Sequence, residues 1–354
     1  MGPKILLIQL RQLGDILLCT ACIREIKQAW PDATISFLCH PMGRLVLEDN
    51  PYLHKIWSYA PQGSWWQDLQ LMKELRAEGF ELVLDFMYNP RSALYAKLTG
   101  APRRLAFPSR RSWLFTEPVA QASTVEYIVE EKFRYLRALG IAPNSHKLDL
   151  PWFKEDAALV CQFLRETPSF ATAALRVVLS PTHRRVERQW SLSSYAAIAD
   201  RLTLEWGAAV LWIWGPGEKE VVLEVQQLCR QLTYVAPQTS FRQVAAFVAQ
   251  CDLFMGNSNG PSHVAVAVQT PSLQLHGPTY AAAWSPLNDR HRAIQAAQDS
   301  SLGRGAINEI SPDKVWQTLL KMQKTLFKSA QLRPQNGVRM DWLATFNERS
   351  AAGE

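Results

Sequence analysis

The sequence predicts an α/β protein built from two domains of similar design. Three observations support this: strand-like apolar runs alternate with helix-like segments, the alternation restarts after an irregular, proline-marked region, and 354 residues exceed what one hydrophobic core usually serves. Strands separated by helices are typical of βαβ units, in which a parallel sheet is covered on both faces. We therefore expect two Rossmann-like domains that face a common cleft.

The first domain is predicted to span residues 1–168. Its strands are expected at KILLIQL (4–10), ATISFLC (33–39), LHKIWSY (53–59) and FELVLDFM (80–87), with helices over 15–30, near 43–49 and over 64–79. Residues 144–153 look extended and residues 154–167 helical. The stretch PSFATAAL (168–175) is interpreted as the linker between the domains.

The second domain is predicted over residues 169–325. Its strands are expected at RVVLSPT (176–182), AAVLWIWGPG (208–217), TYVAP (233–237), DLFMGN (252–257) and PSLQLHG (271–277). Helices are expected over 191–207, 218–232 and 240–250, and again from Pro261. Residues 326–354 are predicted to form a helical tail that packs back on the first domain.

Composition excludes several classes of protein. A hydrophobic content of 47% with 20% charged residues is that of a soluble globular chain. No apolar run reaches 18 residues and no signal peptide is recognisable, so we expect a cytoplasmic protein. The six cysteines are expected to be buried thiols, because Cys19 and Cys22 share a helix face without the second pair that a metal site needs.

The net charge of +6 and the pI near 9.0 favour an acidic partner, such as a phosphorylated sugar, an anionic lipid or a nucleic acid. Four arginines lie within PRRLAFPSRRSW (102–113), which indicates either a basic patch that docks on an anionic membrane surface or a solvated loop. No nucleic-acid-binding motif accompanies them, so no nucleic-acid partner is expected.

Ligands of doubly wound sheets bind beyond the carboxyl ends of the strands, and the first such loop contains Gly14 and Asp15. Gly14 is expected to permit a tight turn, and Asp15 to act as the N-cap or a first-turn acid of the next helix. Capping alone would explain this acid. In a cleft, however, its carboxylate would be placed to take a proton from an attacking hydroxyl.

The second loop, THRRVERQW, places several donors after a strand and before a helix capped by Ser191 or Ser193: Thr182, His183, Arg184, Arg185 and Arg188. Such a group suits a diphosphate that must be neutralised as it leaves, although a solvated basic loop is an equal alternative. Glu218 follows a Gly-Pro-Gly turn at another strand end. It is predicted either to bind ribose hydroxyls or to be a helix-start acid.

The third loop, NSNGPSH, is predicted to bind phosphate through its residues Asn257, Ser258, Asn259, Gly260, Pro261, Ser262 and His263. Pro261 is expected at the first helical position, which leaves the amides of Ser262 and His263 free for an anion at the helix N-terminus. His263 is alternatively a structural hydrogen-bonding residue. Because G-x-G-x-x-G is absent, a nicotinamide-dependent oxidoreductase is disfavoured.

Taken together, these loops resemble the heptosyltransferases of lipopolysaccharide core synthesis, the glycosyltransferase family 9 proteins with a GT-B fold. The most specific stretch is MGNSNGPSHVAVAVQTPSLQLHGPTYAAAWSP, which is similar to the family pattern G-N-D-T-G-P-x-H followed by G-P-T. The resemblance implies an inverting transfer of heptose from ADP-heptose to the lipopolysaccharide inner core, or to a lipid A precursor, without a cofactor.

By the same resemblance, Asp15 would be the general base, Arg188 would stabilise the departing diphosphate and Glu218 would hold the ribose. The sequence departs from the family where Ser258 and Asn259 replace Asp and Thr, and where Arg188 replaces Lys. These departures leave two alternatives open: a divergent or non-catalytic nucleotide-sugar or glycolipid-binding protein, and a glycosyltransferase that uses another nucleotide sugar. No D-x-D-like pair is found, so a metal-independent reaction is expected.

Overall fold

The computed structural model describes residues 2–298 and 305–331. The chain divides into two compact units, the first ending at Pro151 and the second beginning at Trp152. Each unit contains one six-stranded sheet, and every strand pairing in both sheets is parallel. The predicted α/β class, with two Rossmann-like domains, is therefore confirmed.

The first unit has six strands in the order β3-β2-β1-β4-β5-β6. They are β1 (Lys4–Ile8), β2 (Thr34–Cys39), β3 (Lys55–Ser58), β4 (Leu82–Asp85), β5 (Arg103–Ala106) and β6 (Glu117–Pro118). The helices are α1 (Leu13–Ala29), α2 (Arg44–Leu47), α3 (Trp65–Ala77), α4 (Pro90–Leu98) and α5 (Ile128–Ala138), with short 3-10 helices at Pro41–Gly43 and Ser112–Leu114.

The second unit repeats this topology in the order β12-β11-β10-β7-β8-β9. Its strands are β7 (Leu175–Ser180), β8 (Ala208–Trp212), β9 (Thr233–Val235), β10 (Leu253–Asn257), β11 (Ser272–His276) and β12 (His291–Gln295). Its helices are α6 (Lys154–Glu166), α7 (Pro168–Ala171), α8 (Leu192–Trp206), α9 (Lys219–Leu228), α10 (Phe241–Ala249), α11 (Gly260–Ala267), α12 (Ala281–Trp284) and α13 (Pro312–Gln331), with 3-10 helices at Val186–Arg188 and Ile307–Glu309.

The division between the units falls at Pro151, earlier than the predicted boundary at 168. Helix α6 packs against α10 and so belongs to the second unit. The predicted linker at 168–175 is wrong, because it contains helix α7 and a buried aromatic side chain. The Phe170 ring lies 5.5 Å from the Phe163 ring and 5.3 Å from the Tyr234 ring. These aromatic contacts pack the segment into the second unit and stabilise it there.

The C-terminal segment predicted at 326–354 begins inside α13, and its residues 332–354 lie outside the described residues. The Leu326 side chain is fully buried in the core of the second unit, together with Trp316 and Leu319. Where α13 is described, it therefore packs on its own unit. The cysteines form no disulfides, and Cys161 and Cys229 are half-buried while the other four are buried, as predicted for those four.

Both sheets place a topological switch point beside the loops that the sequence analysis selected. In the first sheet the strand order reverses between β1 and β4, and in the second between β7 and β10. Crevices for ligands form at such points, because the neighbouring loops leave toward opposite faces. Asp15 follows β1, Thr182 follows β7 and Asn259 follows β10. Within the described ranges, no helix is both long and apolar enough to cross a membrane.

Candidate functional site

Asp15 lies in the first turn of α1 with one carboxylate oxygen engaged and the other available. The helix begins at Leu13 after the N-cap residue Gln12, whose backbone N–H donates to Asp15 Oδ2 over 3.1 Å. Within the described part of the chain, Oδ1 accepts no hydrogen bond. Asp15 is thus a first-turn acid that helps to cap α1 through Oδ2 and still offers Oδ1 as a hydrogen-bond acceptor. Burial raises the pKa of its half-buried carboxyl, while Lys132 and the Gln12 amide act to lower it.

Gly14 does not form the predicted tight turn. It is the second residue of α1 and is buried against the interior of the first unit. The turn from β1 is instead made by the residues just before it, where the Gln9 side chain donates to the Arg11 carbonyl oxygen. Gly14 is therefore part of the helix and not of the turn before it.

Arg188 is a half-buried cation whose charge no described carboxylate balances. It ends the 3-10 helix Val186–Arg188, and no carboxylate among the described residues lies within 4.0 Å of its guanidinium. Its Nε is buried and makes no hydrogen bond. Burial lowers the pKa of Arg188, and the charges of Arg185 and Arg184 lower it further, while Glu187 opposes them. A bound anion would accept a hydrogen bond from Nε and would offset both the burial of the charge and the repulsion from the neighbouring arginines.

Trp190 fixes the loop that contains Arg188, and sequence reasoning did not select it as a site residue. Its fully buried indole donates from Nε1 to the Ile310 carbonyl oxygen over 2.8 Å. Its backbone N–H donates to Asn257 Oδ1 over 3.0 Å, which ties this loop to the end of β10. Arg188 stands two residues before this anchor, so its position is set by a buried contact.

His183 joins the loops after β7 and β10. Its Nδ1 accepts from the Arg185 backbone N–H at 2.9 Å, so Nε2 carries the proton and donates to the Ser258 carbonyl oxygen at 3.1 Å. Burial lowers the pKa of His183 and so favours this neutral form. Because both ring nitrogens are occupied, His183 positions the loops. Its predicted direct contact with the donor remains a prediction.

Glu218 is held with one oxygen engaged. Its Oε2 accepts from Thr182 Oγ1 at 2.6 Å and from the Gly215 backbone N–H at 2.8 Å. No hydrogen bond from a described residue reaches Oε1. The buried hydroxyl of Thr182 is therefore consumed in orienting the carboxylate, and the half-buried Glu218 presents a fixed acceptor suited to a pair of vicinal hydroxyls.

The loop after β10 differs in detail from the prediction. Asn259 is the N-cap of α11 and Gly260 the first helical residue, so Pro261 occupies the second position rather than the first. The Ser262 amide is not free, because it donates to Asn259 Oδ1 over 3.2 Å. The Ser262 hydroxyl donates to the Asn257 carbonyl oxygen over 2.6 Å. Ser262 is thus a buried structural residue.

The amides of Asn259 and Gly260 donate to no group in the described part of the chain, and both residues are half-buried. The Asn259 side chain is otherwise engaged, since Nδ2 donates to Ser180 Oγ at 3.0 Å and to the Thr182 carbonyl oxygen at 3.1 Å. The backbone amides that an anion could reach at this helix N-terminus therefore include those of Asn259 and Gly260 but not that of Ser262, and the anion site itself remains a prediction.

Asn257 has no capacity left for a ligand. It is fully buried, its Oδ1 accepts from Trp190, and its Nδ2 donates to the Pro181 carbonyl oxygen over 2.9 Å. The predicted donor contact of Asn257 is thus replaced by a structural role. Ser258, in contrast, is half-buried, and its hydroxyl bonds to nothing that the structure describes, which leaves it available to a sugar.

His263 and His276 form a buried pair of imidazoles beside these loops. Burial lowers the pKa of His263 to about 4, and burial together with His263 lowers the pKa of His276 to about 3. Nδ1 of His263 and both ring nitrogens of His276 have no partner among the described residues. Both are uncharged at neutral pH, so His263 can contact phosphate only as a neutral donor.

These imidazoles make stability depend on pH. Because their pKa values are lower in the folded chain, the unfolded chain binds protons first as the pH falls, and the free energy of unfolding decreases below pH 6.5. We expect each imidazole to contribute up to about 1.4 kcal/mol per pH unit to this decrease. Urea unfolding of His276→Phe between pH 7 and pH 5 should show a shallower decrease than the native chain.

The control for this measurement is Leu204→Ser, which replaces an exposed, non-titrating side chain of the same unit. It should leave the pH dependence of unfolding as it is. An equal loss of stability on acidification in the native chain and in His276→Phe would contradict the account of the buried pair.

A close backbone approach after β11 was also missed. A Cβ added at Gly305 would lie 2.6 Å from the Gly277 carbonyl oxygen, and one at Gly277 would lie 2.8 Å from the Gly305 carbonyl oxygen. Gly305 also has φ +64°, so both the space and the dihedral angle require glycine there. Each of these positions is glycine because the backbone of the other, which is distant in the sequence, lies against it.

The four arginines of 102–113 do not form one basic patch. Arg104 is buried, and its guanidinium donates to the carbonyl oxygens of Leu114 and Ala101. Arg103 forms a two-pronged ion pair with Glu117, at 2.7 and 2.9 Å. Of the four, only Arg110 is exposed without a partner in the described ranges, since Arg111 donates to the Tyr88 carbonyl oxygen. The predicted patch of four arginines is wrong, because Arg104 is buried and Arg103 is paired with Glu117.

Comparison with known proteins identifies relatives of the whole chain. Residues 69–307 match the sequence model of glycosyltransferase family 9 (heptosyltransferase). The chain is 24% identical to lipopolysaccharide heptosyltransferase 3 of Escherichia coli K12, over 94% of this chain and 98% of that protein. It is 22% identical to the lipopolysaccharide core heptosyltransferase OpsX of Haemophilus influenzae, over 95% and 96%.

Solved structures share the fold. The glycosyl transferase family 9 protein from Veillonella parvula superposes with a TM-score of 0.79 at 19% identity, over 92% of this chain and 97% of that one. The ADP-heptose lipopolysaccharide heptosyltransferase II of E. coli gives a TM-score of 0.74 at 18% identity, over 93% and 99%. The described residues contain no group of three or more His, Cys, Asp or Glu arranged to hold a metal ion.

Proposed function

We propose, from the premise that this chain belongs to glycosyltransferase family 9, that it transfers heptose from ADP-heptose to the inner core of lipopolysaccharide. The observation that carries the proposal is the half-buried guanidinium of Arg188, which has no anionic partner among the described residues. Its loop is bonded through Trp190 to Asn257, just before the amides of Asn259 and Gly260, which have no acceptor in the described ranges. Three donors without an acceptor fit the two phosphates of a nucleotide sugar.

The donor half of the reaction rests on the second unit. The backbone N–H groups of Asn259 and Gly260 donate hydrogen bonds to phosphate oxygens, and the positive end of the α11 dipole attracts their negative charge. Arg188 neutralises the charge that grows on the diphosphate as the bond to the sugar breaks. Glu218 Oε1 accepts from the ribose hydroxyls, because Thr182 and Gly215 already hold Oε2. The relatives named for ADP-heptose support adenosine as the nucleoside.

The acceptor half rests on Asp15. Its free Oδ1 takes the proton of the acceptor hydroxyl while the oxygen attacks C1 of the sugar, and the diphosphate leaves from the opposite side. One displacement of this kind inverts the configuration at C1. The proposal requires Asp15 to reach the sugar that the second unit holds. Because a fixed cation and backbone amides stabilise the leaving group, we propose that the reaction needs no divalent metal.

The direct test is to incubate the chain, treated with a chelator, with ADP-heptose and a heptose-deficient lipopolysaccharide core. We expect the mass of the acceptor to rise by one heptose, with release of ADP. Binding of ADP without transfer from any nucleotide sugar would overturn the proposal in favour of a non-catalytic nucleotide-sugar-binding protein.

Ser258 supports one variant of this function, transfer from a different nucleotide sugar. A serine hydroxyl in place of the carboxylate common in the family makes weaker, uncharged hydrogen bonds to sugar hydroxyls. A panel of nucleotide sugars should therefore be compared with the native chain and Ser258→Asp. A donor that the native chain prefers to ADP-heptose, with the preference reversed in Ser258→Asp, would establish this variant.

The acceptor is lipid-linked, and we propose that the first unit meets the anionic inner face of the cytoplasmic membrane through exposed tryptophans. Trp65 and Trp66 stack at 3.6 Å at the start of α3 and are 60% and 64% exposed. Trp113 is 75% exposed on the 3-10 helix that contacts α4, and α4 contacts α3. The exposed Arg110 supplies positive charge nearby. Indole rings of this kind favour the membrane–water interface.

Replacement of both stacked rings, Trp65→Ser with Trp66→Ser, should reduce co-sedimentation with phosphatidylglycerol vesicles severalfold. Added salt should weaken the binding of the native chain, because it screens Arg110 from the lipid charge. Leu204→Ser with Leu232→Ser, which alters two exposed side chains of the second unit, is the control. Equal sedimentation of the tryptophan variant and the native chain would refute this contact.

A further inference from the structure

The first unit contains a buried cation that the proposed reaction has not yet used. Lys132 lies on α5, which packs against α1, and only 4% of its surface is exposed. No carboxylate among the described residues lies within ion-pair distance of its ammonium. Burying an ammonium without a directly bonded anion is costly, so other interactions must compensate the buried charge of Lys132.

The contacts of Lys132 lead to the loop that carries Asp15. Its Nζ donates to Gln9 Oε1 at 3.4 Å and lies 5.0 Å from the centre of the Phe86 ring. The same Gln9 side chain donates from Nε2 to the carbonyl oxygen of Arg11. One residue later, the Gln12 backbone N–H donates to Asp15. A continuous series of hydrogen bonds thus joins α5 to the start of α1.

We propose that Lys132 is a positioning residue for Asp15: its ammonium holds the loop through Gln9 and provides the positive charge that keeps the Asp15 carboxylate ionised. This inference rests on the proposed function of Asp15 as the proton acceptor. It assigns Lys132 no contact with either substrate. A base must be ionised before the acceptor arrives, and the half-buried site of Asp15 by itself disfavours the charged form.

The charged and titratable groups around Lys132 agree with this assignment. They are Asp15, Cys19 and Cys22 on α1, Asp85 at the end of β4, Tyr88 beyond it, and Glu131 on α5. Burial raises the pKa of Cys19 to about 11, so that thiol is uncharged at neutral pH. Burial acts to lower the pKa of Lys132, while Cys19, Asp15, Cys22 and Glu131 act to raise it, and the pKa ends above its usual value. Lys132 is therefore a cation at neutral pH, and Asp15 is one of the acidic groups that stabilise its charge.

The test compares Lys132→Met with Lys132→Arg. Loss of the charge should raise the pKa of Asp15 by about 1 unit or more, so the acid limb of the kcat/KM profile moves to higher pH and activity recovers in alkaline buffer. Lys132→Arg should keep the native profile. Arg104→Met removes another buried cation of the same unit, one that binds only carbonyl oxygens, and should lower stability without moving the acid limb.

A second readout separates this inference from the proposed function. The side-chain carboxyl carbon of Asp15, assigned in a ¹³C-aspartate-labelled chain by its absence in Asp15→Asn, can be titrated even if no sugar is transferred. Its pKa should rise in Lys132→Met, or in Lys132→Gln if the methionine variant does not fold. An unchanged Asp15 titration in either folded variant would overturn the assignment of Lys132.

Discussion

Asp15→Asn is expected to reduce kcat for heptose transfer about 10²- to 10⁴-fold, the usual contribution of a general base. The amide is nearly isosteric and can still accept from the Gln12 backbone N–H, so the cap of α1 is preserved. What it loses is the ability to take the acceptor's proton. The affinity for ADP should be unchanged, because the proposed phosphate ligands all belong to the second unit.

Two measurements on this variant check the expectation. Transfer is followed by acceptor mass under single-turnover conditions, and ADP binding by calorimetry. Asp32→Asn, at an exposed position beyond the end of α1, is the control and should transfer at the native rate. In the native chain, activity should fall as the pH falls through the pKa of Asp15, which burial raises, because only the ionised carboxylate accepts a proton. Native kcat in Asp15→Asn would remove Asp15 from the mechanism.

Arg188→Ala is expected to reduce kcat about 10²- to 10³-fold, because it removes the half-buried cation that we propose stabilises the departing diphosphate. It should also weaken ADP binding. Arg188→Lys should retain much of the activity, since the charge remains and only the planar, two-pronged geometry is lost. The rates should be measured with saturating ADP-heptose, so that loss of binding and loss of catalysis are resolved.

The control for Arg188 is Arg201→Ala. Arg201 is an arginine of the same unit that pairs with Glu205 and Asp313 on the helical surface. It should transfer heptose as the native chain does. If Arg188→Ala lowered activity no more than Arg201→Ala, the assignment of the leaving-group role to Arg188 would fail.

The sequence predicted those features of the fold and site that are local in the chain. Asp15 lies in the first turn of the helix that follows β1, and Asn259 caps the helix that follows β10, so each could be placed near a carboxyl edge from its neighbours alone. Alternating strands and helices likewise predicted both parallel sheets. These predictions needed only periodicity and helix-terminus chemistry.

What the sequence could not predict depends on partners far away in the chain. Asn257 and Ser262 are predicted from the sequence to bind a ligand. In the structure, however, Asn257 Oδ1 accepts from the Trp190 backbone N–H, and the Ser262 hydroxyl donates to the Asn257 carbonyl oxygen. Lys132 was not selected from the sequence, because only the packing of α5 on α1 shows that it is buried near Gln9. Arg104 was counted as surface charge for the same reason. Polar side chains in a single sequence do not reveal whether the fold or a ligand will satisfy them.

The most direct test of the account is a crystal structure of the native chain with ADP bound. We predict that the β-phosphate accepts hydrogen bonds from the amides of Asn259 and Gly260 at about 2.7–3.2 Å, with the Arg188 guanidinium on the same phosphate and Glu218 Oε1 on the ribose. A diphosphate bound elsewhere, with Arg188 and both amides left without an acceptor, would contradict the central claim.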